Sequence, residues 1–495
     1  MVTLKIQSAL DALHEGGGIL YPFRNGYEKL ASLLEAVPTD TWRHDESVLG
    51  GLVLYLLKQG QAARAKSYLR ARDLRFEKTY SFEFLELMVA LHLGEHVTEK
   101  KLTTWRRLER KLPLRDTLLL GLYYNVLMAM LVRVGNLDEA RNAGQQSISC
   151  FREEGNSYLE FFIHIHLADI DIVEGQLRRA LRGLTVAERC LTQSGLSYGN
   201  EFEIIEIIQL AVDYERGEFA KVRDNSARLR ESLMNGDSWS ELFFQLTRIC
   251  VLSTYFLDGL QAAQNQLELF QADYVRRHGG RATTIDVLSA MIFRLEWDHN
   301  EAEHHIQLLD KVDMQSAIGK FLLAEQRVLL QKGKPTSGSS PRAQMVTNLQ
   351  IAQSKRSTTR RNALERALQY AFKEGQIAPF LENRDALLGM GSQITSISTL
   401  RRRPTMLRMV NKVIKHVDQS YVIPDPLKEI GFNRRQYRVV AALKTGATNK
   451  QIARQLGITE ATVKYHLTSI YRMTCVSKRS ELIDFMYKKE LFFNY

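Results

Sequence analysis

A short motif that recurs along the first two thirds of the chain constrains its fold more than any other feature. A glycine is followed five residues later by a small apolar residue at 60–65, 135–140, 175–180 and 217–222, and the last three copies begin about 40 residues apart. An apolar segment precedes each of these glycines and an amphipathic segment follows, such as residues 177–191. Each copy therefore predicts two antiparallel helices that meet at a glycine turn.

A single hairpin of this kind cannot bury its apolar face, whereas a stack of about seven buries a continuous core. The repetition resembles tetratricopeptide repeats, although its period is longer than their usual ~34 residues. Nine prolines in 495 residues also favour helix. We therefore predict an all-α chain in which residues 1–333 form a helical repeat sensor domain. Its concave surface is expected to bind a protein, a peptide or a small ligand, and the alternative is a plain spacer.

Residues 448–471 form the second constraining pattern, two short helices joined by a tight turn. Thr448 and Thr459 are placed to cap the two helices, and Gly457 suits the turn between them. Apolar residues recur at helical spacing on one side of each helix: Ile452, Ala453, Leu456, Val463, Leu467 and Ile470. This is a helix-turn-helix pattern, whose second helix fits the major groove of duplex DNA.

Flanking helices capped by Asn433 and Ser477 extend the pattern to a predicted four-helix domain over residues 425–495. This domain resembles the LuxR/FixJ-type DNA-binding domain of bacterial transcription regulators over about 65 residues. The matched positions are Gly446, Asn449, Lys450, Ile452, Ala453, Leu456, Ile458, Thr462, Val463, Lys464, His466, Leu467, Ile470, Val476 and Arg479. Met-Thr-Cys at 473–475 departs from the family's Lys-Leu-Gly, which leaves the exit turn and the dimer contact open.

The resemblance and the helical spacing together indicate the residues that meet DNA. Lys464 is expected to reach a guanine edge or a phosphate, with Tyr465 and Thr468 beside it, while Glu460 and Ala461 meet bases at the start of the helix. A second group is expected to position the DNA backbone: Thr448, Asn449, Lys450, Thr459, Thr462 and His466. Local capping or solvation is the alternative interpretation for three candidates: Asn449, Thr462 and Arg472.

The charge of the chain is divided between an acidic body and a basic C-terminal third. Residues 1–331 carry a net charge of −7, residues 332–424 carry +11, and residues 425–495 carry +7 from 13 Lys/Arg against 6 Asp/Glu. A basic segment of this size is attracted to phosphates, with an affinity that falls steeply as salt rises. Because the charge coincides with the helix-turn-helix, it favours DNA over a merely solubilising surface.

The region between the two domains is predicted from its composition. Residues 334–361 are rich in Pro, Ser and basic residues and predict a flexible basic linker, and residues 393–424 predict a second one. Its Arg-Arg-Arg run at 401–403 either touches phosphate or is solvated. Residues 362–392 resemble the terminal helical repeat of MalT-like (LAL) regulators. Those regulators begin with a nucleotide-binding ATPase, which we expect to be absent because no phosphate-binding loop sequence occurs.

Other chemistries find little support in the sequence. The four cysteines are far apart and predict reduced thiols. His164, His166, Asp169 and Asp171 resemble metal ligands, but residues two apart on a helix point to nearly opposite sides. We therefore predict no metal, no cofactor and no enzyme activity. We find no signal peptide and no apolar run of 18 residues, which predicts a cytoplasmic protein without a membrane-spanning segment.

These observations predict a transcriptional regulator in which the repeats bind an effector and the C-terminal domain binds promoter DNA. The resemblance implies RNA polymerase as a further partner, and it implies pairing through the last helix as a homodimer on DNA. The alternative is a repeat scaffold for protein interactions, with a secondary or regulated DNA-binding module.

Overall fold

The computed structural model is helical throughout the residues that it describes. These are residues 2–71, 80–113, 115–196, 199–236, 239–278, 282–312, 314, 316–330, 340–352, 357–384, 404–444 and 446–489. Within them the chain forms 27 α-helices and three short 3₁₀ helices, and no β-strand occurs in these ranges. The prediction of an all-α solenoid followed by a helix-turn-helix domain is confirmed.

The repeat array comprises α1 (Val2–Glu15), α2 (Tyr21–Asn25), α3 (Tyr27–Ala36), α4 (Glu46–Lys58), α5 (Ala62–Arg70), α6 (Tyr80–His92), α7 (Glu99–Leu108), α8 (Thr117–Val134), α9 (Leu137–Glu153), α10 (Ser157–Val173), α11 (Leu177–Ser194), α12 (Glu201–Glu215), α13 (Phe219–Asn235), α14 (Ser240–Asp258), α15 (Leu260–His278), α16 (Thr283–Leu295), α17 (His299–Leu308) and α18 (Ala317–Leu329). The remaining helices are α19 (Pro341–Ala352), α20 (Ser357–Glu374), α21 (Ala378–Glu382), α22 (Pro404–Gln419), α23 (Asp425–Glu429), α24 (Arg434–Leu443), α25 (Asn449–Leu456), α26 (Glu460–Thr474) and α27 (Arg479–Lys488).

Successive helices of the array pair into hairpins, with α8 on α9, α10 on α11, α12 on α13, α14 on α15 and α16 on α17. The predicted turn glycines Gly135, Gly175 and Gly217 have φ of 85°, 78° and 83°, a left-handed conformation that a side chain would strain. Five residues on, Ala140 and Ala180 are fully buried. The recurring motif therefore marks the point where a hairpin turns and its second helix packs against the first.

The array also makes contacts between repeats that are distant in sequence. Lys320 on α18 donates from Nζ to the carbonyl of Val134 at the end of α8, at 3.2 Å. Lys58 at the end of α4 forms an ion pair with Glu201 at the start of α12, at 2.8 Å. In an open solenoid each repeat contacts only its neighbours. These contacts join α18 to α8 and α4 to α12, so the array is not an open solenoid. α14 and α16 lie buried within it.

The structure differs from the flexible linker predicted over 334–361. Residues 341–352 form α19, which pairs with α20 as a hairpin, whereas 334–339 and 353–356 lie outside the described residues. The physical reason is a run of buried side chains at helical spacing: Arg342, Met345, Val346, Leu349 and Ala352. The Pro- and Ser-rich composition just before this run concealed its periodicity.

The basic linker predicted over 393–424 is also different in the structure, since residues 404–419 form α22. Met406, Val410, Val413 and Val417 are buried at spacings of three or four residues, so one face of this basic helix is apolar. Lys412 Nζ lies 3.3 Å from the Glu218 carboxylate at the start of α13, and the helix packs along the array. The Arg-Arg-Arg run lies outside the described residues.

The predicted terminal repeat over 362–392 falls within α20 and α21, and its residues beyond 384 lie outside the described residues. α21 is inserted among the array helices. Its preceding residue Ile377 donates its N–H to the carbonyl of Glu215, at 2.6 Å, and Arg294 Nη2 donates to the carbonyl of Glu382. Residues 340–352 and 357–384 therefore form part of the packed body.

A charged cluster joins this inserted segment to the array. Arg342 lies 2.6 Å from both the Glu215 and the Glu382 carboxylates, and Arg248 lies 3.2 Å from Glu215. The Tyr214 hydroxyl donates to Glu382 at 2.7 Å. The side chains of these two arginines and two glutamates are at most 1% exposed. Two cations balance two carboxylates in this cluster, and burial together with Glu382 raises the pKa of a third buried carboxyl beside it, Glu325, to about 7.

One helix is close in length and hydropathy to a membrane span, although Asn125 and Arg133 interrupt its apolar sequence. In the part of the chain that the structure describes, α8 alone is long and apolar enough to cross a bilayer, with a mean hydropathy of 1.6. It packs against α9, and 61% of the segment is buried inside the protein. Arg133 near its end is buried in an ion pair with Glu241 of α14. In this fold α8 is a core helix of the array.

Replacing Arg342 with alanine is expected to lower the free energy of unfolding by about 3–5 kcal/mol, because it leaves two buried carboxylates with a single buried cation, Arg248. The matched control is Arg228→Ala, which removes an arginine whose ion pair with Glu206 has side chains 54% and 36% exposed. That change should cost less than about 1 kcal/mol. Urea unfolding followed by circular dichroism measures both values, and equal losses for the two variants would contradict the assigned role of the cluster.

Candidate nucleic-acid interface

The helix-turn-helix is built from local hydrogen bonds. Thr448 Oγ1 accepts from the N–H of Gln451, whose side-chain oxygen accepts from the N–H of Thr448 at 2.7 Å, so both sides of a capping box are present. Gly457 ends α25 with φ 61° and ψ 37°. Thr459 Oγ1 accepts from the N–H of Thr462 at 3.1 Å and caps α26. The two caps and the glycine turn predicted from the sequence are all observed.

Packing fixes the angle between these helices and α24. The apolar residues predicted to face inward are all buried: Ile452, Ala453, Leu456, Val463, Leu467 and Ile470. Gln436 of α24 donates to Ser469 Oγ at 3.1 Å and also completes a capping box with Asn433. α26 is therefore held along one side by apolar contacts, and its opposite side is left to solvent.

The solvent side of α26 carries the residues expected to meet bases. At 100° per residue, positions 460, 461, 464, 465, 468 and 472 fall within an arc of about 140°. Tyr465 is 72% exposed. Lys464 Nζ lies 3.3 Å from the Glu460 carboxylate, and these side chains are 64% and 47% exposed. An exposed ion pair of this kind contributes little stability, so Lys464 can exchange it for a DNA contact at low cost.

The structure places the predicted DNA-binding residues at or near this surface. Those that are exposed are Thr448, Lys450, Thr459, Glu460, Ala461, Lys464, Tyr465, Thr468 and Arg472, and those that are half-buried are Asn449, Thr462 and His466. The Thr462 hydroxyl lies 2.8 Å from that of Thr459, which agrees with local capping as its alternative role. Their contacts with DNA stay predictions.

His466 borders the exposed face of α26. Partial burial, together with the nearby Arg435 guanidinium, holds the pKa of this imidazole below its usual value. The side chain is therefore neutral at pH 7, where a histidine acts as a hydrogen-bonding group and not as a cation. The same proximity places Arg435, at the start of α24, beside the recognition helix, and the sequence analysis did not include it among the DNA-binding candidates.

Arg479 has a role that the sequence analysis did not assign. Its Nη2 donates to the carbonyl of Ala447, and Nη1 lies 3.5 Å from Asn449 Oδ1. A side chain from α27 therefore holds the residues at the start of α25 in position by hydrogen bonds. The sequence signal was the match of Arg479 to the family pattern, which indicated importance without indicating the partner.

The exit from α26 is unusual in its backbone. Cys475 ends the helix with φ 55° and ψ 36°, a left-handed conformation that favours glycine. The prediction that Ser477 caps the next helix is wrong, because Lys478 occupies the N-cap position. The Glu481 carboxylate accepts from the N–H groups of Ser477 and Lys478, and these hydrogen bonds lower its pKa. The carboxylate replaces the predicted serine cap.

The metal-like residues of the sequence are not brought together. His164 lies 3.1 Å from the Glu160 carboxylate, whereas His166 packs against the Trp239 ring with centroids 4.6 Å apart. Glu160, His164 and Cys190 do place donor atoms within 4.8 Å of one another. Arg152 Nη2 already donates to the Glu160 carboxylate at 2.6 Å. We therefore interpret Glu160, His164 and Cys190 as part of a half-buried ion-pair cluster and not as a metal site.

The helix-turn-helix domain contacts the repeat array through α24 and the residue that follows it. The Tyr437 hydroxyl lies 3.3 Å from the Glu296 carboxylate, and Lys444 Nζ lies 2.5 Å from Asp298. Between them Trp297 has φ 58°, a strained conformation for a bulky residue. Strain of this kind is retained where the surroundings hold it in place, and it concentrates at functional sites. We call the contact of these five residues the dock.

Tyr421, which links α22 to α23, adds a second set of contacts beside the dock. The guanidinium of Arg384 lies 3.9 Å from the centre of its ring and that of Arg438 lies 4.8 Å from it. Arg384 also donates to the Tyr255 hydroxyl at 2.7 Å, and that hydroxyl donates to Glu296 at 2.7 Å. One connected set of side chains therefore joins the array, the inserted segment and α24.

Comparison with known proteins assigns the class of the C-terminal domain. Residues 432–486 match the family described as "Bacterial regulatory proteins, luxR family". These residues include α24 to α27 almost completely. The domain is a LuxR-type helix-turn-helix DNA-binding domain, as the sequence motif predicted.

The wider chain is similar to a named regulator. The "HTH-type transcriptional regulator MalT" of Klebsiella pneumoniae subsp. pneumoniae is 22% identical over 338 residues, which cover 63% of this chain and 35% of that protein. The protein of the same name from Serratia proteamaculans is 20% identical over 469 residues, covering 85% of this chain and 51% of that protein. The chain spans about a third to a half of the length of these curated relatives. The predicted MalT-like character is confirmed.

Replacing Cys475 with glycine is expected to stabilise the DNA-binding domain by about 0.5–1 kcal/mol. The left-handed conformation costs a non-glycine residue roughly 1–2 kcal/mol, and the greater freedom of glycine in the unfolded chain returns part of that gain. Thermal unfolding measures the effect. Cys475→Ala serves as the control, since alanine keeps the strain while removing the thiol. If the glycine variant is no more stable than the alanine variant, the backbone at residue 475 is not strained.

Proposed function

We propose that the chain is a transcriptional regulator that places α26 in the major groove of promoter DNA and is controlled by its helical repeats. The observation that carries this proposal is the polar face of α26, which is exposed in full on a LuxR-type domain although the domain is docked on the body. The basic charge of the C-terminal third supports it, since it supplies attraction to phosphates. The relatives named above, which are transcriptional regulators, agree with it.

Within this proposal the twelve predicted residues divide by position. The start of α26 and its exposed face, with Glu460, Ala461, Lys464, Tyr465 and Thr468, contact base edges or adjacent phosphates. The two helix starts and the flanks of that face hold the backbone, through Thr448, Asn449, Lys450, Thr459, Thr462, His466 and Arg472.

The dock provides the route by which the repeats act on DNA binding. Its residues come from the turn between α16 and α17 on one side and from α24 on the other. α24 also packs against α26. An effector that shifts α16 relative to its neighbours therefore changes how α26 is presented. Promoter DNA, RNA polymerase, a homodimer paired through α27 and a cytoplasmic location are the partners and setting that this proposal includes.

The second candidate function is a protein-interaction scaffold whose DNA-binding module is secondary. The length of the array favours it, because most of the described chain is repeat. The two candidates differ in what purified full-length protein enriches. A random pool of duplex DNA that yields one recurring sequence supports the regulator. A stable protein partner, with no sequence enriched from the pool, supports the scaffold.

Replacing Lys464 with alanine is expected to weaken binding to the enriched duplex by at least about five-fold, and to reduce the salt slope by about 1 if the contact is to phosphate. Lys373→Ala removes an exposed lysine from α20, outside the DNA-binding domain, and is the matched control. Fluorescence anisotropy across a salt series measures both quantities. Affinity and slope that match the Lys373→Ala variant would exclude the assigned face of α26.

A further inference from the structure

A cavity of about 120 Å³ lies inside the first half of the array. Its walls come from the first helices of successive hairpins, α4, α6, α8 and α10, with α2 and α3 at one end and the start of α14 along another side. Most of the lining is apolar or aromatic, including Phe23, Tyr27, Met88, Phe162 and Trp239. Each of these five side chains is only partly buried and packs against the hydrophobic core, so the cavity retains an aromatic surface that the fold does not cover.

Two ion pairs set the electrostatics of this cavity. Lys58 pairs with Glu201 at 2.8 Å, and its ammonium lies 5.2–5.9 Å from the ring centres of Tyr27, Tyr158 and Phe162. On the other wall Arg133 pairs with Glu241, at 2.5 Å. Both cations are thus satisfied by carboxylates of the protein. A charged ligand would break one of these pairs, so the cavity favours a neutral ligand.

Three polar side chains of the lining lie outside these pairs: His92, whose Nδ1 lies 2.8 Å from the Met88 carbonyl, His166, which packs against Trp239, and Asn125. The side chain of Asn125, on α8, is half-buried in the cavity wall, and it makes no hydrogen bond within the described part of the chain. A primary amide presents a donor and an acceptor side by side. It therefore matches a ligand that carries the complementary pair, as an aryl carboxamide or a lactam does.

We propose that this cavity binds a small neutral aromatic molecule that carries one carboxamide or lactam group. The ring packs among Phe23, Phe162 and Trp239, and the polar group pairs with the Asn125 amide. The cavity is somewhat smaller than the apolar cavity of about 150 Å³ that accepts benzene, so a single ring fills it and the substituents of the ring extend towards its open side. The shape of the site agrees with small-ligand pockets in general, which are mostly apolar with a few placed polar groups.

The position of the cavity gives the ligand a regulatory consequence, which rests on the proposed function. α14 begins at the cavity, where Trp239 and Glu241 contribute to the lining, and it runs for 19 residues, about 28 Å. Near its other end the Tyr255 hydroxyl contacts Glu296 and Arg384, which belong to the dock and its surroundings. A single buried helix therefore connects the ligand site with the contact that holds the DNA-binding domain.

The test uses full-length protein and 4-fluorobenzamide as the probe, followed by fluorine NMR. We expect a saturable shift or broadening of the probe signal, which unlabelled benzamide reverses. Asn125→Leu should weaken the binding of 4-fluorobenzamide by about ten-fold, which is the effect of losing one hydrogen-bonded partner. The same variant should bind fluorobenzene within about two-fold of the wild-type affinity. Ala129→Phe fills the cavity and should abolish both. Ala272→Phe places the same change on an exposed face of α15 and should abolish neither.

Absence of saturable probe binding to the wild-type chain overturns the proposal, whether or not any variant folds. Probe binding that Asn125→Leu and Ala129→Phe leave unchanged also overturns it, since the probe then binds elsewhere. Selection of duplex DNA by the same protein without probe reports separately on the proposed function. A protein that selects DNA but does not bind the probe contradicts only the ligand site. A protein that binds the probe but selects no DNA contradicts only the proposed function.

Discussion

The buried ion-pair cluster of Arg342, Arg248, Glu215 and Glu382 is the interaction on which the rest of the structure depends. It joins α12 and α14 of the array to α19 and α21 of the inserted segment. Ions removed from water are costly unless their partners and hydrogen bonds are complete. Here the two charges of each sign are matched, and Tyr214 adds a further donor. The cluster therefore sets the position of α21, and with it the position of Arg384, two residues after the end of that helix.

From Arg384 the connection continues to the DNA-binding domain. Its guanidinium donates to the Ser420 carbonyl at 2.9 Å and to the Leu295 carbonyl at 2.8 Å, and it lies over the Tyr421 ring. These contacts place α22 and α24 against the array, while α26 stays on the outer side of its domain. The arrangement separates two tasks. α24 is held by the body, and the outer face of α26 is left exposed. In the proposed regulator, a domain bound in this way would respond to shifts within the array, which a domain on a free tether would not do.

Features set by neighbouring residues could be predicted from the sequence. The caps at Thr448 and Thr459, the turn at Gly457 and the hairpin glycines each depend on a few adjacent positions, and all occur as expected. Composition was a poor guide where periodicity disagreed with it. Residues 404–419 are basic overall, yet four buried apolar side chains at helical spacing make them an amphipathic helix.

Contacts between residues distant in sequence could not be predicted. The partners of Arg342 lie 127 and 40 residues away, and those of Lys444 and Arg479 lie 146 and 32 residues away. Nothing in the local pattern of a charged side chain indicates such a partner. The left-handed backbone conformation of Trp297 could not be predicted for a related reason. Trp297 occupies a turn where the other repeats have glycine, and glycine is the residue that defines the recurring motif.

The most direct measurement of the docked arrangement is the distance between the repeat array and α26 in solution. Nitroxide labels at Leu308 and Thr468, both exposed, would report it by pulsed electron resonance in a full-length chain whose native cysteines are replaced. A docked domain predicts a single narrow distribution of distances in the absence of DNA and ligand. A broad distribution, typical of two bodies joined by a flexible tether, would contradict the conclusion that the array holds the DNA-binding domain.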